Sequence, residues 1–142
     1  MPFRSYQDLF VWKEGIQLSI SVYRITSQFP PDERFGLVSQ MRRCAVSIPS
    51  NIAEGHARLS TREFLRHISI ALGSLAELET QLHIASELGY GAAENLRTIQ
   101  VITNRLGKQL RGLTKSLNRR IDHSPNANRK RGMRPQPPVS SP

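Results

Sequence analysis

The side chains best suited to chemistry in this chain are four histidines, eleven acids and a single cysteine. The nearest thing to a metal pattern is Glu63 with His67 and Glu79 with His83, each pair spaced by four residues. A dinuclear carboxylate site in a helical bundle asks for Glu-x-x-His on two helices and a glutamate from each of the other two, all facing inward. Here both pairs fall on one helical stretch and point to roughly opposite sides of it, while the flanking stretches offer only Glu14 and Glu94. Cys44 has no second cysteine for a disulfide or a zinc site, and it sits at an apolar position of a helix. No strand leads into a glycine-rich phosphate loop, and Ser, His and Asp occur without a triad signature. The expectation is a protein that is not an enzyme, with no catalytic residue, no metal and no cofactor. His67 and His83 then read as helix-surface or interface residues.

The cations carry a different chemistry. Twenty Lys and Arg against eleven Asp and Glu give a net charge of +9, and the surplus is uneven. Between Glu94 and Asp122 there is no acid, yet Arg97, Lys108, Arg111, Lys115 and Arg119 share one side of a helix, with Arg105 at its margin. Solvated helix faces usually mix signs and gain about 0.2–0.5 kcal/mol per spaced ion pair. A face of one sign forgoes that and repels itself, which points to an acidic partner, nucleic acid foremost. Arg42, Arg43, Arg58, Arg62 and Arg66 make a second cluster, in which the last three recur every four residues if their helix is extended backward. Aromatic side chains for base stacking are scarce, because Trp12, Tyr23 and Phe64 fall on apolar arcs. Recognition is therefore expected through charge and shape, with RNA or an RNA–protein complex favoured and weak sequence preference. The alternative is an interaction module whose basic face docks an acidic protein.

These faces need helices to position them. A chain of 142 residues is one domain and can bury a core without staples. The apolar period covers residues 1–122; residues 123–142 are rich in Pro, Ser and Asn, hold Arg129, Lys130, Arg131 and Arg134 without an acid, and read as a disordered basic tail. No apolar run approaches the roughly 20 residues needed to span a bilayer, and the amino terminus lacks an export pattern. A cytoplasmic protein without a membrane partner is expected.

The first helix runs from Leu9 to about Gln28 and stops before Pro30 and Pro31. It is apolar on two sides: Leu9, Trp12, Ile16, Ile20 and Tyr23 form one arc, and Val11, Leu18, Val22 and Ile25 nearly the opposite one. One side suits the bundle and the other a neighbouring subunit, assigned here to Val11, Leu18, Val22 and Ile25. Asp32 and Glu33 stand where the next helix's positive end favours acids. The second helix spans about 36–54; its apolar arc keeps phase across Pro49, so a kinked but continuous helix is predicted. Arg43, Ser47, Ser50 and Glu54, with Asn51 at the edge, suggest either a hydrogen-bonded contact or a solvated face. Gly55 reads as a helix stop, and Ser60 with Glu63 as a capping box that opens a third helix running to Leu88. On that helix Ile70 and Ile84 lie off the main apolar arc, as further interface residues, and Gly73 suits close approach of a neighbour. A fourth helix begins at Ala92 or Ala93 and reaches at least Leu117.

One stretch resembles a known family. Gln40-Met41-Arg42-Arg43 entering Ser47-Ile48-Pro49-Ser50-Asn51-Ile52-Ala53-Glu54-Gly55, then Ser60-Thr61-Arg62-Glu63-Phe64, then Gly73-Ser74-Leu75 before Glu77-Leu78-Glu79, resemble the 23S ribosomal RNA intervening-sequence proteins. The accessory variability determinant of diversity-generating retroelements is related to that family. The resemblance covers roughly residues 6–118 and implies an all-α, antiparallel up-down four-helix bundle. It also implies assembly into a ring, commonly a pentamer, a nucleic-acid role, and a reverse transcriptase as one conceivable partner. The family's acidic pair corresponds to Glu77 and Glu79, expected to meet arginines of an adjacent helix or subunit.

Overall fold

The computed structural model describes residues 5–123. Its four helices are α1 (Phe10–Thr26), α2 (Leu37–Ala57), α3 (Thr61–Glu87) and α4 (Ala93–Asp122). Short 3₁₀ turns at Tyr6–Asp8 and Pro31–Glu33 lead into α1 and α2, and no strand occurs among the described residues. Each helix packs on its two neighbours, α1 on α2, α2 on α3, α3 on α4 and α4 back on α1, so α2 and α4 occupy a diagonal. This is an up-down four-helix bundle. The predicted basic tail lies outside the described residues, His123 excepted.

The helix starts follow local chemistry. Ser60 Oγ accepts from the Glu63 N–H at 3.3 Å, while the Glu63 carboxylate turns to Arg66. The beginning of α2 has no cap from its own N-cap, Gly36; instead Glu33 Oε2 accepts from the Leu37 N–H at 3.0 Å. That carboxylate also receives the Tyr90 hydroxyl, whose ring packs on Phe29. Desolvation, then the charge of Glu33, raises the Tyr90 pKa. Gly89, in the left-handed region at φ 73°, closes α3 as expected.

Two glycines do not play the roles assigned to them. Helix α2 runs through Gly55 to Ala57 and ends at Arg58, and the left-handed residue of the turn is Leu59 at φ 56°. Gly55 is buried because α3 presses on it: a Cβ there would come 2.5 Å from the Cβ of His67. Gly73, by contrast, has nothing within 4 Å of where a Cβ would stand, so no neighbour among the described residues exploits it.

The core reverses the expected division of α1. Val11, Gly15, Leu18, Val22 and Ile25, spaced four, three, four and three, are buried, with Thr26 beside the last of them. Val11, Leu18, Val22 and Ile25 therefore cannot form a subunit interface, since they are consumed by the bundle's own core with Ile48, Ile52, Leu78 and Leu106. The other arc, apart from the buried Leu9, is turned outward, leaving Ile20 and Tyr23 exposed and Trp12 half-buried under Tyr6. Ile70 and Ile84 of α3 are exposed.

Gly15 explains why this arc wins. A Cβ on it would stand 3.2 Å from the Cβ of Pro49, so the bare backbone of α1 lets the buried proline ring approach. Pro49 has no N–H, which leaves the carbonyl of Ala45, one turn earlier, without its helical donor. Ser19 supplies one: its Oγ lies 3.0 Å from the Ala45 carbonyl oxygen and 2.9 Å from that of Gly15, so a single proton is shared between them. Ser19→Ala should lower unfolding stability by about 1–3 kcal/mol, the cost of a stranded buried carbonyl. In a Pro49→Ala background the restored N–H at position 49 replaces the serine, and the cost should shrink. Denaturant unfolding of the four proteins in this cycle checks the coupling; an equal cost in both backgrounds refutes the assigned role.

Candidate nucleic-acid interface

Helix α4 is amphipathic in the strict sense. Its buried seam holds Leu96, Ile99, Thr103, Leu106, Gly107, Leu110 and Leu117, and its outer face is cationic. Arg97, Arg105, Lys108, Arg111, Lys115 and Arg119 are all exposed. Twenty-two residues separate the first from the last, so the stripe is roughly 33 Å long at the helical rise of about 1.5 Å per residue.

Neutralising acids are few. Arg105 bonds Glu14 of α1, with its Nη2 3.0 Å from both carboxylate oxygens, and the Glu14 side chain is only 14% exposed. Arg105 thus ties α4 to α1 and leaves five cations on the stripe. Among the described residues no acid lies within ion-pair distance of Arg97, Lys108, Arg111, Lys115 or Arg119. Arg111 folds its guanidinium back over Gly107, where a Cβ would come 3.2 Å from Nη1. Like charges at these helical spacings repel by a few tenths of a kcal/mol per pair in water. A polyanion lying along the face would remove that repulsion.

The second arginine cluster is not one patch. Arg42 and Arg58 stand sixteen residues apart on and beyond α2, roughly 24 Å along its axis. Arg58 caps α2 rather than extending α3, and it pairs with Glu54 at 3.0 Å. Arg66 pairs with Glu63, and this hydrogen bond, then the arginine's charge, holds the Glu63 carboxyl below its ordinary range. Arg62 and Arg43 are exposed. Arg42 is held at the α1–α2 edge, where its Nε donates to Thr26 Oγ1 at 2.9 Å and its guanidinium covers the Tyr23 ring at 4.5 Å.

The polar stripe of α2 divides: Ser47 and Asn51 contact α3, whereas Arg43, Ser50 and Glu54 are exposed to solvent. Ser47 Oγ meets Ser74 Oγ at 2.9 Å, Asn51 Nδ2 donates to the Ser47 carbonyl, and Asn51 Oδ1 lies 3.0 Å from His67 Nδ1. His67 is buried, with its other ring nitrogen 3.3 Å from Arg66. The Glu63–His67 pair therefore points into different company, one to Arg66 in solvent and the other to Asn51 inside. Glu77 and Glu79 are exposed and form no ion pair among the described residues. No three His, Cys, Asp or Glu side chains group as metal ligands among the described residues. No helix among the described residues is long and apolar enough to cross a membrane.

Fold and surface together define a small helical-bundle protein with one cationic outer helix. The chain belongs to the 23S rRNA-intervening sequence protein family, whose profile matches residues 7–112. No curated protein matches it. Among solved structures it is similar to a protein of unknown function from the S23 ribosomal protein family of Bacteroides thetaiotaomicron. That likeness has a TM-score of 0.67 at 22% identity and covers 74% of this chain and 98% of the other. At such identity it speaks for the fold alone.

Cys44 is buried on α2, with Gln81 Nε2 at 3.6 Å from its Sγ. Burial above all, and then the neighbouring Glu77, push the thiol up to about 11 from 9.0. The folded chain therefore binds this proton more tightly than the unfolded chain. The stability this contributes is complete below pH 9 and is lost as the pH rises towards 11. Chemical denaturation from pH 8 to 11 should show a decline that is smaller in Cys44→Ala, and a thiol reagent at pH 8 should label the wild type only after unfolding. Rapid labelling of the folded protein would contradict the burial.

Proposed function

We propose that this protein is a non-catalytic, oligomeric nucleic-acid-binding accessory protein that grips structured RNA through the outer face of α4. The observation that carries the reading is the stripe Arg97, Lys108, Arg111, Lys115 and Arg119, exposed and without an acidic partner among the described residues. Arginine forks and lysine points of charge on a rigid helix suit phosphates spaced along a backbone. The family's description supports the choice of polyanion, since it places the family with 23S rRNA. A complex of RNA with a protein such as a reverse transcriptase is a partner of the same chemistry.

Self-association is part of the proposal. Ile20 of α1, Ile70 and Ile84 of α3, and Leu88 just past the end of α3 remain exposed after the bundle has formed. A ring, with five subunits the number that the resemblance implies, would cover such faces and repeat the cationic stripe around its circumference, raising avidity. The second reading, a module docking an acidic protein, draws on the same stripe and differs in its ligand.

Binding of a structured RNA should weaken steeply with salt, because each phosphate contact releases counterions. Replacing Lys108, Arg111 and Lys115 by glutamine should weaken binding and reduce the slope of log K against log salt by about 3. An unchanged slope with intact affinity would remove α4 from the interface, and no binding at low salt would favour the acidic-protein reading. Light scattering at micromolar concentration should give a mass well above the 16.1 kDa chain. A monomer there would refute the assembly.

A further inference from the structure

The α1–α2 edge carries an aromatic and arginine groove that the α4 stripe does not use. It has a volume of about 430 Å³ and is lined chiefly by Tyr23, Arg34, Phe35, Arg42, Arg43 and Val46. Phe35 is 88% exposed and Tyr23 47% exposed. Each ring has a guanidinium beside it: Arg42 lies 4.5 Å over Tyr23, and Arg34 lies 5.4 Å from the centre of Phe35. Arg42 is fixed by its bonds to Thr26 Oγ1 and the Tyr23 carbonyl. Of the two acids near in sequence, Glu33 is turned away to the Leu37 N–H and the Tyr90 hydroxyl, and the exposed Asp32 does not line the groove. The groove is lined without any acid.

This combination is informative because the fold does not need it. A phenyl ring left almost wholly in water forgoes about 1.5–3 kcal/mol of burial, and Phe35 does so beside three arginines. A flat ring with guanidinium groups around it matches a ligand that brings a π-face and negative charge on one short unit. An unpaired nucleotide does this, offering its base for stacking and its flanking phosphates to the arginines. A peptide fits less well. The backbone N–H groups of α2 beside the groove are spent in the helix, and the groove offers no long apolar trough for a partner helix.

We infer that the α1–α2 groove is a stacking site for an unpaired RNA base, in which Phe35 and Tyr23 take the base and Arg34, Arg42 and Arg43 its phosphates. The inference rests on the nucleic-acid reading above and adds a ligand class to it. Since α2 and α4 stand on the diagonal of the bundle, the groove and the stripe meet different parts of a folded RNA: single-stranded nucleotides here, backbone alone along α4. Phe35 is a ligand contact and not a core residue, so its replacement leaves the fold intact.

The test compares two labelled probes, a short oligouridylate and a fully paired RNA duplex, on the full chain by fluorescence anisotropy. Phe35→Ala should weaken the oligouridylate about fivefold or more and leave the duplex unchanged, whereas Phe35→Trp, which keeps a flat face, should retain the affinity. If the wild type binds both probes and Phe35→Ala weakens neither, or both alike, the stacking site is wrong while the nucleic-acid reading stands. A loss in Phe35→Trp equal to that in Phe35→Ala overturns it too. If the wild type binds neither probe, the nucleic-acid reading itself fails. Unchanged oligouridylate binding by Phe35→Ala together with lost binding of an oligoglutamate peptide would assign the groove to an acidic protein and likewise overturn the inference.

Discussion

The bundle depends on keeping α2 helical through Pro49. A proline in a helix interior costs about 3 kcal/mol or more when nothing compensates, and here it lies in the buried half of the molecule. Two residues of α1 make it tolerable: Gly15 gives the ring room, and Ser19 gives a hydroxyl to the Ala45 carbonyl that proline strands. These contacts set the distance between α1 and α2. They also hold the carboxyl half of α2 in line, so that Asn51 reaches His67 and Gly55 lies under its Cβ. With α2 fixed against both α1 and α3, the remaining seat is the diagonal one. Helix α4 takes it with a single apolar seam inward and its cations outward.

Most of this architecture is legible in the sequence, and the failures have a common cause. Periodicity locates all four helices, because each repeats apolar residues at threes and fours over several turns. It cannot choose between two arcs that are both apolar. On α1 the outer arc holds the larger side chains, Trp12 and Tyr23, while the true core arc includes a glycine that counts as nothing on a hydropathy scale. The choice is made by shape, the fit of Gly15 to Pro49, and shape is a property of two helices at once. Gly55 fails for the same reason: as a local signal glycine ends helices, and only the approach of His67 reveals it as a packing position.

The candidate surfaces divide along similar lines. The α4 stripe is local to one helix, so its residues are readable in order along the chain. What the chain alone conceals is Glu14, which comes from α1 to occupy Arg105. The groove at the α1–α2 edge is the converse case. Its aromatics are unremarkable one at a time, Tyr23 on an apolar arc and Phe35 in a loop beside Arg34. They become a site only when α1 and α2 bring Arg42 and Arg43 beside them. A run of Arg-Phe immediately before Gly36, out of phase with the helix that follows, is the one signal that marks it in the sequence.

Charge also constrains how copies of the chain can meet. Helix α3 carries four acids, Glu63, Glu77, Glu79 and Glu87, against Arg62 and Arg66, while α4 carries seven basic residues against Glu94 and Asp122. Neighbouring helices of one molecule thus present outward surfaces of opposite sign. A ring that pressed α3 of one copy against α4 of the next would be attractive, but it would spend the stripe on Glu77 and Glu79 and compete with phosphate for the same cations. A ring that instead joined the exposed apolar residues, Ile20 of α1 and Ile70 or Ile84 of α3, would leave every stripe open to solvent. Salt separates these geometries physically: screening weakens the first and leaves the second intact. An assembly that persists at high salt while RNA dissociates therefore has its apolar faces inside and its cations free.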